Sequence, residues 1–185
     1  SLLLRPEHIP ANRQFLLSEI VSLATVDVLN RYATGFSIKW PNDIYWHDKK
    51  IAGILIENVL SGSTFSRAII GMGLNINQKN FYSDAPNPVS LHQITGHTYK
   101  IEKILDEFTE ALGKRYTDTF TNSSDRIHKE YIAALYRNDG VYPFYSDGNI
   151  FHASIADVEL DGHLLLLTES GEKKRFAFKE VSFLL

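Results

Sequence analysis

The sequence predicts an α+β fold followed by a short all-β region, and three observations carry that. Apolar residues recur at three- and four-residue steps over Asn12 to Tyr32 and over Ile101 to Phe120, the spacing of a helix face. Between these stretches, Ser37 to Asn77 holds three apolar runs cut by two polar turns, which read as strands. After Gly140 helical periodicity stops, and short apolar runs alternate with turn sequences. A boundary near Gly140 divides the chain into residues 1–139 and 140–185.

The bulk properties narrow the function. A chain of 185 residues allows one domain of ordinary size with a small appendage. Hydrophobic residues at 44% and charged residues at 22% match a soluble globular protein. A formal net charge of −3 supplies no global basic field, so a nucleic-acid partner is not supported. Without cysteine there is no disulfide, thiol catalysis or cysteine-ligated zinc. No apolar run is long enough to span a bilayer, so no membrane is expected. The opening SLLLRPEHIP is too short and too soon charged for a signal peptide, which makes the cytoplasm the default. Ser1 to Leu4 reads as a strand already under way, with no initiator Met, as if the chain began inside a domain.

In order, Pro6 and Pro10 end the first strand. The helix at Asn12 to Tyr32 puts Phe15, Leu16, Ile20, Leu23, Ala24, Val28 and Leu29 on one face, with Asn12 as N-cap and Gly35 beyond its end. Phe36 to Trp40 is a short strand ended by Pro41. Ile44 to Trp46 is another, and His47-Asp48-Lys49-Lys50 a hairpin turn. Ile51 to Leu60 is apolar except for Glu57 and Asn58, which predicts a strand buried on both faces. Ser61-Gly62-Ser63 turns the chain, and Phe65 to Leu74 returns antiparallel. Gln78 to Asn87 is a loop, after which Val89-Ser90-Leu91 re-enters the core. The second helix places Ile101, Ile104, Leu105, Phe108, Leu112 and Tyr116 on one face. Asn122 to Asp125 supplies a cap for a third helix, Asp125 to Tyr136. The final 45 or so residues hold about five short strands, with Asp161-Gly162 as a hairpin turn, and predict a small barrel.

Chemistry concentrates at strand ends. Lys39-Trp40-Pro41-Asn42-Asp43 closes a strand at a proline; a lysine there can hold a carboxylate or phosphate, and Asp43 can accept a proton. A surface lysine before an ordinary Pro-Asn-Asp turn has the same spacing and is the commoner outcome. Gly53 inside a strand marks either close approach of a ligand or a bulge or tight packing. Gly71-Met72-Gly73-Leu74-Asn75-Ile76-Asn77 lacks the third glycine and following helix of a dinucleotide fingerprint. Asn75 and Asn77 share one side, where two amides read a base edge or, more commonly, cap a turn. The seven histidines are dispersed without metal spacing, and no metal ligand is assigned. No Ser-His-Asp order occurs. The run Lys173-Lys174-Arg175 reads as a solvated edge.

Taken together, K-W-P-N-D, K-I-A-G-I-L-I-E and G-M-G-L-N-I-N resemble, in order and spacing, the central motifs of biotin–protein ligases. Pro88-Val89-Ser90-Leu91, Thr95-Gly96 and the opening Ser1 to Pro6 fit the same pattern, so the resemblance spans nearly the whole chain. It implies a mixed sheet with helices, related to class II aminoacyl-tRNA synthetases, then an SH3-like barrel. It implies joining of biotin to ATP as biotinyl-5′-adenylate and transfer to a lysine of a biotin carboxyl carrier protein, with Mg²⁺ screening the triphosphate. Lys39 would contact the biotin carboxyl and the α-phosphate, and Asp43 would orient or deprotonate the incoming amine. Gly53 and Ile54 would present backbone groups to the biotin ring. Asn42 and Asn75 would serve the nucleotide, Asn75 at the adenine. A homodimer is compatible with the family. The family's glycine- and arginine-rich loop is not among these residues, nor is the DNA-binding domain some members carry; these 185 residues alone are therefore expected to show little ligase activity. A lipoyl or octanoyl transferase, and a non-catalytic biotin- or carrier-binding module, are the alternatives.

Overall fold

The computed structural model describes residues 1–61, 64–82, 87–121 and 124–184. In chain order these form β1 (Leu2–Leu4), α1 (Phe15–Leu29), β2 (Phe36–Lys39), β3 (Asp43–Trp46), β4 (Lys49–Ser61) and β5 (Thr64–Leu74). Then come α2 (Leu91–Thr95), α3 (Ile101–Asp118), α4 (Ser124–Ala133), β6 (Tyr142–Ser146), β7 (Asn149–Val158), β8 (Leu164–Thr168), β9 (Lys173–Phe176) and β10 (Ser182–Phe183). The turn expected at 61–63, the loop at 78–87 and the cap at 122–125 each fall partly outside the described residues.

The first sheet runs β1-β5-β4-β3-β2. Among the described residues its ladders are all antiparallel, and parallel pairing is confined to two isolated bridges, Ile38–Leu135 and Lys50–Pro88. This corrects the expected mixed sheet: successive strands here are joined by short turns, which force antiparallel pairing. Alternation along each strand sends Ile38, Ile44, Ala52, Ile54, Ala68 and Ile70 into one face, where all are buried. The other face carries Lys39, Asp43, Gly53 and Gly73 in one cross-strand row, and Leu55 beside Gly71 in the next.

Helix α1 lies on the buried face with α3 and α4 packed on its far side. It is therefore buried all round, every residue but Ser18 and Asp27, rather than along the single face its spacing suggests. Leu17, Ile20 and Leu29 are wholly buried, and each contributes about 1.5–3 kcal/mol. Asn12 does not cap it: a 3-10 turn at Ala11–Arg13 precedes the helix, whose N-cap Gln14 makes no side-chain bond. On α3, Ile104, Phe108, Ala111 and Leu112 are buried while Ile101 and Leu105 stay exposed, because only half of its apolar arc meets α1. Val89, Ser90 and Leu91 are buried as expected, with Ser90 forming a capping box for α2. Strand β4 is buried on one face only; Leu55 is 61% exposed on the other.

The second sheet runs β10-β6-β7-β8-β9, also antiparallel. No ladder joins β9 to β10 among the described residues, so it stands as an open sheet where a barrel was expected. Its core is Phe144, Ala153, Val158, Leu164, Leu166, Phe176 and Phe183. Three links hold it against the first sheet and its helices. Trp40 Nε1 donates to Gly162 O at 2.9 Å. Gly162 has φ +94°, and a Cβ there would fall 2.6 Å from the Phe15 ring, so only glycine fits that turn. His128 of α4 bridges Glu19 of α1 and Asp157 of β7 at 2.7 and 2.9 Å. Among the described residues, no helix is long and apolar enough to cross a membrane.

Candidate functional site

The strand register assembles the site. Lys39 faces Asp43 across the β2–β3 turn, Asp43 pairs with Gly53, and Gly53 with Gly73. Because partners across a ladder share a face, these four form one row on the open side of the sheet. Phe178, Lys179 and Phe183 of the second sheet lie over one end of that row. Between the two lies a cavity of about 880 Å³ that also includes Asn42, Lys50, Leu55 and Gly71. Its size suits a small-molecule ligand, and the glycines leave its floor as bare backbone. Above Gly73 a Cβ would meet nothing within 4 Å.

Three lysines line this space, Lys39, Lys50 and Lys179; the first two belong to the first sheet and sit in different surroundings. Lys39 is half-buried, with Nζ donating to Tyr45 OH at 3.2 Å and lying 5.0 Å from the Tyr45 ring and 5.5 Å from the Phe183 ring. Burial lowers its pKa; Asp43 opposes that, and Lys50 and Arg137 add to it. Tyr45 is driven the other way, by burial and then by the Asp43 charge, and keeps its phenolic proton. Lys50 Nζ sits 2.6 Å from Asp43 Oδ1, so the carboxylate expected to act as a base is ion-paired in this state. A Cβ on Gly53 would stand 3.4 Å from that same oxygen and from Lys50 Nζ. The glycine makes room for the pair and exposes it to whatever enters.

The asparagines hold backbone segments together. Asn42 O accepts from Ile54 N–H at 2.9 Å, and Asn42 Nδ2 donates to Ile54 O at 2.5 Å. This clasp pins the turn after the cis Trp40–Pro41 peptide onto β4. Both backbone groups of Ile54 are engaged in this clasp, and its side chain is in the core, 3% exposed. Asn75 is outside the cavity lining; its Nδ2 donates to Val89 O at 3.2 Å, and its N–H to Ile51 O. Asn77 clasps Tyr99 through both backbone groups, a turn-holding role.

Lys39, Asn42, Asp43, Gly53 and Ile54 thus meet at one cavity, while Asn75 does not line it. Sequence reasoning missed Lys50, Phe178, Lys179 and Phe183. Lys50 stands at the head of the K-I-A-G stretch, which was a usable signal; nothing in the sequence announced the other three.

A second cluster, Glu159, Asp161 and His163, has ligand atoms within 4.8 Å of one another. Arg175 already donates to both carboxylates, at 2.5 and 2.6 Å, so a guanidinium occupies the place a cation would take.

Residues 1–75 match the model of the biotin/lipoate A/B protein ligase family. The chain is 30% identical to the bifunctional ligase/repressor BirA of Bacillus subtilis over 185 residues, 96% of this chain and 55% of that one. It is 31% identical to the biotin–[acetyl-CoA-carboxylase] ligase of Paracoccus denitrificans over 144 residues, 74% of this chain and 60% of the other. The chain therefore spans little more than half the length of these relatives. Its fold superposes on the biotin protein ligase of Aquifex aeolicus in complex with biotin and ATP with a TM-score of 0.77 at 23% identity, covering 98% of this chain and 75% of that one.

Proposed function

We propose that this chain belongs to the biotin–protein ligase family and that its cavity is the site where biotin is activated by ATP and passed to a lysine of a biotin carboxyl carrier protein. The observation that carries the reading is that Lys39 and Lys50 of the first sheet are set beside a glycine floor. The carboxylate of biotin would attack the α-phosphorus of ATP, forming the acyl–phosphate bond and releasing pyrophosphate. Negative charge accumulates on the phosphoryl oxygens in that step, and fixed cations in a partly closed site stabilise it. Lys50 lies nearest the bare backbone, and Lys39, anchored on Tyr45, stands behind it. An incoming anion competes with Asp43 for Lys50. Asp43, released, would then take a proton from the acceptor amine as the amide forms and AMP leaves. Gly53 walls the biotin side, Asn42 supports the nucleotide from the cavity wall, and Asn75 serves it from the end of β5. Asp43 is the one carboxylate lining the described cavity and is committed to Lys50, so these residues build no cage for Mg²⁺. The ion would arrive on the triphosphate, held by phosphates and water. The same reading treats the first sheet as class II synthetase-like, the second as an SH3-like barrel, and residues 1–139 and 140–185 as two domains. A cytoplasmic location and a homodimer belong to it as well.

Biotin-dependent ATP–pyrophosphate exchange by the full-length protein, followed by labelling of a carrier, tests the proposal. Exchange that responds to lipoate or octanoate instead of biotin would overturn it. The cavity floor gives a second test. Gly53→Val is expected to raise the Kd for biotin at least about tenfold by driving methyl groups into the Asp43–Lys50 pair. The melting temperature should change by only a few degrees, as the site lies on the open face. Wild-type biotin affinity in that variant would remove Gly53 from the biotin wall.

A further inference from the structure

The charges of the cavity do not balance. Its ionisable side chains are Lys39, Asp43, Tyr45, Lys50 and Lys179, and Asp43 neutralises only Lys50. Lys39 meets the Asp43 charge only at longer range, and neither Lys39 nor Lys179 makes an ion pair among the described residues.

Lys179 is also placed deliberately. It sits in a turn after β9 that is closed twice: Glu180 N–H donates to Ala177 O at 3.1 Å, and Ala177 N–H donates to the Glu180 carboxylate at 2.7 Å. Glu180, the acid nearest in sequence, is thereby spent on the backbone and not on the lysine. Lys179 itself has φ +74°, a left-handed conformation that strains any residue but glycine and is seldom adopted by a long side chain. Its Nζ lies 5.5 Å from the centroid of the Phe178 ring, which is 56% exposed at the cavity and meets Trp40 edge to face. A strained, unpaired cation and an exposed aromatic ring thus project from the second sheet over the glycine floor of the first.

We propose that Lys179 is a phosphate contact supplied by the second sheet, so that a nucleoside polyphosphate is gripped from both sheets at once. The inference rests on the reading of the cavity as an ATP site, and it adds a residue, a ligand end and a role for the second sheet. A lysine contacts phosphate as a point charge and tolerates approach from several directions.

Lys179→Gly tests it cleanly, because glycine relieves the backbone strain and the turn keeps both its closing bonds. Titration calorimetry on the full-length protein, with inorganic tripolyphosphate and separately with ATP, should show about fivefold to tenfold weaker binding of each to Lys179→Gly. Biotin affinity should be unchanged. Lys173→Ala, which removes a charge from exposed β9, should bind both as wild type does. If tripolyphosphate binding depends on Lys179 while wild type binds no ATP, the phosphate contact stands and the ATP-site reading falls. Equal tripolyphosphate affinity in Lys179→Gly and wild type, or none in wild type, overturns the inference.

Discussion

Lys50→Ala is expected to slow biotin-dependent ATP–pyrophosphate exchange by roughly 10²- to 10³-fold, the loss seen when one preorganised charge-stabilising group is removed from an acyl- or phosphoryl-transfer site. Stability should hardly change. The Lys50 side chain is 34% exposed and Asp43 26%, and ion pairs at such exposure contribute about 1 kcal/mol or less. Lys39→Ala should also slow exchange, by about tenfold or more, and should cost stability besides, because its stem packs among Tyr45 and Phe183. The ranking follows from geometry. Lys50 Nζ borders the space above Gly53, whereas Lys39 Nζ is turned toward the Tyr45 phenol and the Phe183 ring. Asp43→Asn separates the two steps: exchange persists, while transfer to the carrier slows. Wild-type exchange in Lys50→Ala would take Lys50 out of the chemistry. A larger loss in Lys39→Ala than in Lys50→Ala would return the carboxylate and phosphate to Lys39.

Why Lys50 escaped notice in the sequence while Lys39 did not is a matter of register. Strict alternation back from Gly53 puts Ile51 on the ligand face and Lys50 in the core. The pairing slips between Ile44 and Tyr45, so that Tyr45 faces Lys50. One irregular residue thus places the ammonium beside Asp43 and leaves Ile51 buried. The K-I-A-G motif marks Lys50 as a candidate, but the alternation of Lys49-Lys50-Ile51-Ala52 does not show which face its side chain takes. The hairpins themselves were legible, because their turn residues and apolar runs are local. The surroundings of each element were not. The apolar residues of β4 lie on both faces, and a one-dimensional pattern cannot say that Leu55, Val59 and Leu60 would stay exposed. Nor could the spacing along α1 show that α3 and α4 cover its outer side. Asn42 was legible as a polar group near the site, yet its clasp on Ile54 depends on a contact twelve residues away.

The His128 bridge should give the largest change in stability of any single replacement outside the apolar core. Both ring nitrogens face carboxylates, Glu19 and Asp157, so the bridge is complete only when the imidazole carries both protons. The hydrogen bond to Glu19 is the main cause, with Asp157 adding to it against burial, and together they raise the His128 pKa from 6.5 to about 9. A pKa raised in the folded state stabilises below the unfolded value and loses that stability as pH climbs through the folded one. The bridge is therefore at full strength below about pH 6.5 and fades toward pH 9. That interval corresponds to about 3 kcal/mol, trimmed to about 2 because Asp157 is half exposed and screened. Removing the imidazole also strands the carboxylate of Glu19, 6% exposed inside the helical layer, which adds a desolvation cost. His128→Ala is thus expected to lose about 3 kcal/mol at pH 6, seen as a fall of roughly 6–12 °C in melting temperature. The gap to wild type should narrow as pH rises from 6.5 to 9.5. Glu19→Gln placed on His128→Ala should restore part of the loss, since a neutral amide is cheaper to bury than an unpaired carboxylate. The bridge joins α1 and α4 to β7, and the same second sheet holds Phe178, Lys179 and Phe183 over the cavity. Loosening it should therefore raise the Kd for ATP more than that for biotin. A melting-temperature gap that stays constant from pH 6 to 9.5 would show that His128 is neutral and packs as an ordinary buried ring.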